Sequence, residues 1–121
     1  MCGIVGVVHF DGTAVEQPVL ARMAHAIAHR GPDGEGVYIS GQVGFYHKRL
    51  SIIDLVSGDQ PMTAEDVTIV FNGEIYNYVE LREQLMKLGH TFRTTSDTEV
   101  ILRMYHQYGE ACVAQLNGMF A

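Results

Sequence analysis

The sequence predicts one domain in which helices and strands are mixed, and three observations favour this. The chain has 121 residues, the usual size of a single domain. Short apolar runs rich in β-branched residues are typical of buried strands, as in residues 2–10 and 67–71. Elsewhere apolar residues recur at spacings of three and four, as in residues 18–28, which indicates amphipathic helices.

The N-terminal half is predicted to hold a strand, a helix and two further strands. Residues 2–10 form the first strand, and residues 18–28 form a helix that starts with proline. Three glycines and one proline among residues 29–36 indicate a shaped loop. Residues 37–40 and 43–50 are the next two strands.

The middle of the chain is predicted to continue with a loop, a strand and a helix. Residues 57–66 are polar and are expected to form a loop before a strand over residues 67–71. Asn72-Gly73 would be a hairpin turn between two strands, but a helical pattern follows and makes a plain hairpin less favoured. That helix starts at Asn77, which with Glu80 resembles a capping box.

The C-terminal part is predicted to hold a short strand and two helical segments. The strand covers residues 91–94, and a helix starts at Ser96, whose partner in a capping box is Glu99. That helix ends at Gly109, and residues 111–116 form another helical piece. A new apolar segment then begins at residue 118.

Composition excludes several classes of function. A net charge of −6 without a basic run argues against binding to nucleic acid or an anionic membrane. No apolar stretch approaches the about 20 residues of a membrane span. Two cysteines form neither a disulfide framework nor a zinc pattern, which fits a reducing, cytoplasmic compartment. His25 and His29 lack a third ligand at suitable spacing, so no metal site is predicted.

Cys2 is the strongest candidate for chemistry. Removal of Met1 would leave its thiol beside a free α-amine, and such groups exchange a proton readily near neutral pH. One residue would then supply both a nucleophile and a general base. A cysteine at this position is more often a small buried side chain, and both interpretations stay open on this residue alone.

Two further charged residues, Arg30 and Arg49, have two interpretations each, and a third, Asp97, has one. Arg30 lies in the glycine-rich loop, which is either a plain connector or a loop that brings this side chain to an anion or to the thiol. Arg49 is either a surface charge or a carboxylate ligand, since guanidinium matches a carboxylate through two parallel hydrogen bonds. Asp97 lies in the first turn of a helix, where its plain interpretation is stabilisation of the helix dipole.

Six segments in this order resemble the class II glutamine amidotransferase domain of glutamine-hydrolysing asparagine synthetases, and the resemblance covers the whole chain. The segments are Met1-Cys2-Gly3-Ile4, His29-Arg30-Gly31-Pro32-Asp33, Arg49-Leu50-Ser51-Ile52-Ile53-Asp54, Asn72-Gly73-Glu74-Ile75-Tyr76-Asn77, Ser96-Asp97-Thr98-Glu99 and Gly118-Met119-Phe120-Ala121. Each is moderately specific, and the six together are very specific.

The resemblance implies a role for each candidate residue. Cys2 would attack the side-chain amide of glutamine, expel ammonia and form a thioester that water hydrolyses. The Asn72 amide and the Gly73 N–H would form the oxyanion hole, in which glycine leaves no Cβ in the way. Arg49 would bind the α-carboxylate of glutamine, and Asp97 its α-ammonium. Backbone groups of Leu50, Ser51, Ile52, Ile53 and Glu74 would complete the pocket, and Arg30 would support it.

The resemblance also implies a fold and a larger protein. The fold is α+β: an N-terminal nucleophile hydrolase with a four-layer αββα sandwich and mostly antiparallel sheets, here truncated. Residues 1–121 would be a partial glutamine amidotransferase type-2 domain without a cofactor. A synthetase domain that uses ATP and Mg²⁺ would follow and amidate a carboxylate, with aspartate the default acceptor. The parent protein could form a homodimer. The competing hypothesis is a catalytically silent interaction or regulatory domain on the same fold.

Overall fold

The largest sheet has three antiparallel strands, and a helix covers one of its faces. We analysed a computed structural model, which describes residues 2–52 and 56–121. The strands are β1 (Gly3–Val8), β2 (Gly34–Ser40) and β3 (Val43–Arg49), in the order β1-β3-β2. The ladder between β1 and β3 starts at Gly3 opposite Lys48. This register places the residue before β1 beside the residues that follow β3.

Helix α1 (Gln17–Ala26) packs on the three-stranded sheet and forms the first hydrophobic core. Leu20 and Ala24 are buried on its inner face, against Val5 of β1. The approach is close, because a methyl group at Gly44 of β3 would lie 2.7 Å from the Leu20 side chain. A single turn of 3₁₀ helix, Ala28–Arg30, follows α1 and leads into the glycine-rich loop.

The remaining strands form two small antiparallel sheets. Strand β4 (Met62–Ala64) pairs with β5 (Val67–Ile69) as a hairpin. Strand β6 (Gly73–Ile75) pairs with β7 (Gly118–Phe120), which lies far along the chain. Within the described residues every strand pair is antiparallel, and the fold mixes helices with strands as predicted.

The second hydrophobic core lies around helices α2 (Tyr78–Lys87) and α3 (Asp97–Tyr108). Leu85 of α2 and Val100 of α3 are fully buried there, beside Ile75 of β6. Burying a side chain of this size stabilises the fold by about 1.5–3 kcal/mol. A 3₁₀ helix, Gly109–Gln115, follows α3, and its Cys112 is buried in this core. Within the described chain, no helix has the length and apolar character needed to cross a membrane.

Strand β2 starts at Gly34, inside the loop expected over residues 29–36, and two further sequence-based expectations about local structure were wrong. Residues 57–66 were expected to be a loop, but Met62–Ala64 within them form β4, because β5 offers an adjacent partner. Residues 91–94 were expected to be a strand, but none is present there. The backbone N–H groups of Arg93 and Thr94 donate to the Glu99 carboxylate, which takes the place of a neighbouring strand.

The two predicted capping boxes also differ in detail. Ser96 caps α3 as expected, since its hydroxyl oxygen accepts from the Thr98 N–H at 3.0 Å. Its own N–H donates to the Thr94 hydroxyl, and Glu99 binds the chain further upstream. The Asn77 side chain does not cap α2, because it bonds to the backbone at Gln115 and Asn117.

Candidate active site

One cleft collects most of the candidate residues. It lies where β1, β3 and β6 meet the first turn of α3, and it encloses about 130 Å³. This volume is below the roughly 300–1,000 Å³ of pockets for drug-sized ligands and suits a small metabolite. The predicted site residues that line it are Cys2, Arg49, Leu50, Ile52, Gly73, Glu74 and Asp97.

Cys2 lies immediately before β1, and its thiol faces the backbone that follows β3. The Leu50 N–H donates to Sγ at 3.3 Å, and Sγ lies 3.5 Å from the Leu50 carbonyl oxygen. A backbone N–H directed at sulfur stabilises negative charge on it. The thiol is partly exposed within the cleft, so it is reachable by a small ligand.

Arg30 supports the same residue from the other side. Its Nε and Nη2 atoms each donate to the carbonyl oxygen of Cys2 at 3.3 Å. Arg30 is not among the residues that line the cleft. Among the described residues, the Arg30 side chain therefore bonds to the backbone of Cys2 and does not line the cleft in which a ligand would bind.

Arg49 ends β3, and its side chain is nine-tenths buried at the cleft wall. Its Nη1 atom donates to Oδ1 of Asp59 at 2.7 Å. The Asp59 side chain is 83% exposed, so this carboxylate reaches in from solvent towards a buried cation. Arg49 thus binds a carboxylate of the protein itself, and Asp59 is a partner that the sequence did not predict.

Asp97 is the first residue of α3 and is buried in the cleft. Its Oδ2 atom accepts from the Ile75 N–H at 3.0 Å, which links α3 to β6. Burial raises the pKa of Asp97 above its ordinary value, although this hydrogen bond opposes the shift. The pKa of Glu74 is also raised, first by burial and then by the charge of Asp97. Two carboxyl groups in one cleft favour a bound cation.

Gly73 lines the cleft, whereas Asn72 is not among the lining residues. Asn72 pairs with Ala121 through both its N–H and its carbonyl, and its Oδ1 is buried without a hydrogen-bond partner among the described residues. A Cβ at Gly73 would lie 2.1 Å from the Met119 carbonyl oxygen. Glycine is therefore required here by the close pairing of β6 with β7.

The segment after Arg49 is only partly in the cleft. Ile52 lines it, but the Ser51 N–H donates to Oδ2 of Asp33 at 2.8 Å, in the glycine-rich loop. The Asp33 N–H in turn donates to the Arg49 carbonyl at 3.0 Å. Asp33 thus fixes the residues on both sides of Leu50. Ile53, a further predicted pocket residue, lies outside the described residues.

Besides Asp59, two further residues of the site region were missed at the sequence level. Gln60 lines the cleft but stands in a polar stretch that gave no signal beyond a loop. His47 is fully buried in β3, two residues before Arg49. A histidine two residues before Arg49, and so on the same strand face, was a usable signal, since a buried polar side chain needs a partner.

A group of possible metal ligands lies away from the cleft. Glu65, Asp66 and His106 present ligand atoms within 4.8 Å of one another. The Arg103 guanidinium is ion-paired with Glu65 at 3.5 Å, so the charge of this carboxylate is already neutralised by a side chain. We assign no metal to these residues.

Comparison with known proteins identifies the family. A sequence profile described as a glutamine amidotransferase domain matches residues 1–121. Asparagine synthetase [glutamine-hydrolyzing] 1 of Bacillus subtilis (strain 168) is 50% identical over 126 residues, which cover 100% of this chain and 20% of the relative. Asparagine synthetase [glutamine-hydrolyzing] 1 of Arabidopsis thaliana is 44% identical over 124 residues, covering 100% of this chain and 21% of the relative.

The chain therefore spans about a fifth of the length of these curated relatives. The match runs along all 121 residues and includes each of the six segments on which the resemblance was based. The family inferred from those segments is confirmed, and the chain belongs to the glutamine amidotransferase domain family.

Proposed function

We propose that this domain hydrolyses glutamine to glutamate and supplies the ammonia to an asparagine-synthetase activity of a longer protein. The observation that carries the proposal is the content of the cleft: a thiol at Cys2, a buried cation at Arg49 and buried carboxyl groups at Asp97 and Glu74. Free glutamine presents an electrophilic amide, one carboxylate and one ammonium. The cleft offers a complementary group for each of the three.

In the proposed reaction the Cys2 thiol gives its proton to the α-amine exposed by removal of Met1. The thiolate sulfur attacks the amide carbon, and a tetrahedral oxyanion forms. The proton on the amine then passes to the departing nitrogen, the C–N bond breaks, and ammonia leaves behind a glutamyl thioester. Water adds to the thioester with the same amine as base, which releases glutamate and restores the thiol.

We assign the remaining residues to binding and to stabilisation of charge. Arg49 binds the α-carboxylate of glutamine through its fork of donors. Asp97 binds the α-ammonium, and Glu74 adds negative potential at the same place. The Asn72 amide and the Gly73 N–H donate to the oxyanion, and each donor of this kind is typically worth about 10²–10³ in turnover.

The backbone of the segment after β3 and the Arg30 side chain complete the proposed site. Leu50 supports charge on Cys2 by the N–H contact to sulfur. Arg30 holds the Cys2 carbonyl, which orients the nucleophile. Ser51, Ile52 and Ile53 are proposed to contribute backbone groups to the pocket, as the family resemblance implies. No metal takes part in this site.

For the whole protein, the names of the relatives favour aspartate as acceptor and asparagine as product. The proposed partner domain is a synthetase domain of the same chain, where bound ATP and Mg²⁺ would activate the acceptor carboxylate. We also propose a cytoplasmic enzyme that can form a homodimer. Its glutaminase domain would extend beyond this chain and close into a four-layer αββα sandwich, of which residues 1–121 are one part.

The test uses the full-length protein with Met1 removed. We expect glutamate to form from glutamine, and asparagine to form when aspartate and ATP are added. Cys2→Ala should abolish use of glutamine while synthesis from free ammonia continues, because the second reaction needs no thiol. Glutamine hydrolysis that survives in Cys2→Ala would overturn the assignment. Absence of hydrolysis in the unmutated protein would favour the silent interaction domain.

A further inference from the structure

We propose that Gln60 is a positioning residue for glutamine hydrolysis, which holds the backbone leading into Asn72 and Gly73 and ties it to the first turn of α3. This inference rests on the proposed function, in which that backbone carries the oxyanion donors. Gln60 lies in the segment between β3 and β4 and faces the cleft. None of the candidate residues of the sequence analysis occupies this place.

The Gln60 side chain makes one hydrogen bond from each end of its amide. Its Oε1 accepts from the Phe71 N–H at 2.6 Å, and its Nε2 donates to the Thr98 hydroxyl at 3.3 Å. A backbone N–H can only donate, so the oxygen must face Phe71 and the orientation of the amide is fixed. The residue thus links the chain just before Asn72 with the chain just after Asp97.

His47 holds the other side of the same residue. Its Nε2 lies 3.3 Å from the Phe71 carbonyl oxygen, which can only accept, so Nε2 carries the proton. The imidazole is fully buried, and burial lowers its pKa, which keeps the ring neutral. Gln60 and His47 therefore hold the N–H and the carbonyl of Phe71 from two different segments.

The backbone of Gln60 is itself closely packed. A Cβ at Gly36 of β2 would lie 2.1 Å from the Gln60 carbonyl oxygen and 2.9 Å from Pro61. The preceding residue, Asp59, binds Arg49 at 2.7 Å. The close packing against Gly36 of β2 gives the Gln60 side chain a fixed base.

The position of Phe71 controls where the following residues point. Its carbonyl carbon forms the peptide bond to Asn72, and Gly73 comes next, so a shift at Phe71 moves both proposed oxyanion donors. A misplacement of about 1 Å in a reacting constellation can cost about 10²-fold in rate. Gln60 bonds directly to Phe71, the residue before the proposed oxyanion donors, so turnover should depend on Gln60 more than substrate binding does.

The experiment compares three variants of the full-length protein, assayed for glutamate formation over a range of glutamine concentrations. Gln60→Met keeps the length of the side chain but removes both hydrogen bonds. Gln60→Glu keeps an acceptor for the Phe71 N–H and a second oxygen that the Thr98 hydroxyl can donate to. Gln84→Met is the control, since Gln84 is exposed on α2.

We expect Gln60→Met to lower kcat about 10–100-fold while KM changes less than about threefold. Gln60→Glu should restore kcat to within about fivefold of the unmutated protein, and Gln84→Met should leave both constants unchanged. This pattern separates positioning from a role in folding. If the loss of kcat in Gln60→Met came from partial unfolding, Gln60→Glu would not be expected to restore it. Ammonia-dependent synthesis, measured in parallel, reports whether the rest of the enzyme is intact.

Two outcomes would overturn the inference while the proposed function stands. One is an unmutated protein that hydrolyses glutamine together with a Gln60→Met variant of equal kcat. The other is a loss of kcat in Gln60→Met that Gln60→Glu does not relieve at all although ammonia-dependent synthesis is normal. An unmutated protein without glutaminase activity would instead sink the proposed function, and this inference with it.

Discussion

The buried guanidinium of Arg49 and the exposed carboxylate of Asp59 form an ion pair with an N–O distance of 2.7 Å. Under the proposed function the α-carboxylate of glutamine binds this same guanidinium. Two carboxylates around one cation repel each other, so Asp59 should weaken the binding of glutamine. The Asp59 carboxylate is 83% exposed, so water can solvate Arg49 once this carboxylate is neutralised, and the fold should stay intact.

The first prediction is therefore that Asp59→Asn lowers KM for glutamine by about two- to fivefold, the equivalent of about 0.5–1 kcal/mol. We expect kcat to stay the same, because Asp59 touches no reacting group. Glu83→Gln, an equal change of charge at an exposed position of α2, is the matched control and should leave KM unaltered. A higher KM in Asp59→Asn would mean that Asp59 orients Arg49 instead of competing for it.

The second prediction concerns the nitrogen of Cys2. With Met1 retained, this nitrogen is an amide without a basic lone pair and cannot take the thiol proton. We expect a full-length sample with Met1 retained to form no glutamate, whereas the sample without it is active. Mass spectrometry of the intact N-terminus verifies the pair before the assay. Equal rates would show that another group is the base, and a histidine would be the first to examine.

Much of the candidate site was predictable because the residues that line its cleft stand at the ends of regular elements. Cys2 precedes β1, Arg49 ends β3 and Asp97 begins α3, and the pairing of β1 with β3 brings the first two together. Such positions follow from patterns in the sequence that specify where strands and helices end. The family resemblance supplied the order of these segments and, with it, the choice between alternatives at each charged residue.

What could not be predicted depends on contacts between distant segments. The partnership of β6 with β7 spans more than forty residues, and no local pattern around Gly73 indicates it. The bond from Gln60 to Phe71 and the ion pair of Asp59 likewise depend on how the segment after β3 folds back. The apparent strand at residues 91–94 was a local preference overridden by a buried carboxylate at Glu99.

The third prediction follows from the raised pKa of Asp97. Burial favours the protonated form of Asp97, whereas the ammonium of glutamine requires the ionised form. At a pH where Asp97 is partly protonated in the free protein, binding of glutamine should therefore release protons. Affinity for glutamine should thus fall as pH drops from neutral, beginning above the ordinary range of an aspartate. Calorimetry on the Cys2→Ala protein, in two buffers of different ionisation enthalpy, measures both the affinity and the protons released.

The Asp97→Asn variant tests whether Asp97 causes this pH dependence of the affinity for glutamine. It should weaken binding by more than about tenfold, since loss of one partner of a charged hydrogen bond costs about 1.5–3 kcal/mol. The dependence of affinity on pH should flatten, with the remaining slope set by Glu74, whose pKa is also raised by burial and by Asp97. The proposed ammonium site would be wrong if Asp97→Asn bound glutamine like the Cys2→Ala background.

The fourth prediction concerns Glu99, which has a structural role beside the site. Its buried carboxylate accepts from the N–H groups of Arg93, at 3.0 Å, and Thr94, at 2.7 Å, and from the Thr94 hydroxyl at 2.7 Å. Burial alone would raise the pKa of Glu99, but these hydrogen bonds lower it on balance. The ionised form therefore stabilises the chain that leads into α3 and Asp97.

A depressed folded-state pKa means that this contribution is complete above the ordinary pKa of a glutamate and is lost as pH falls through the folded-state value. Glu99→Gln should remove about 1.5–3 kcal/mol of local stability at neutral pH. Hydrogen exchange by mass spectrometry on the full-length protein should then show about 10–100-fold less protection at residues 93 and 94. Acidification should erode this protection in the unmutated protein and change it little in Glu99→Gln.

Glu83→Gln is the control and should behave like the unmutated protein, because the Glu83 side chain is exposed. Unchanged protection in Glu99→Gln at neutral pH would mean that the packing of α3 alone holds this segment, and that the carboxylate is dispensable.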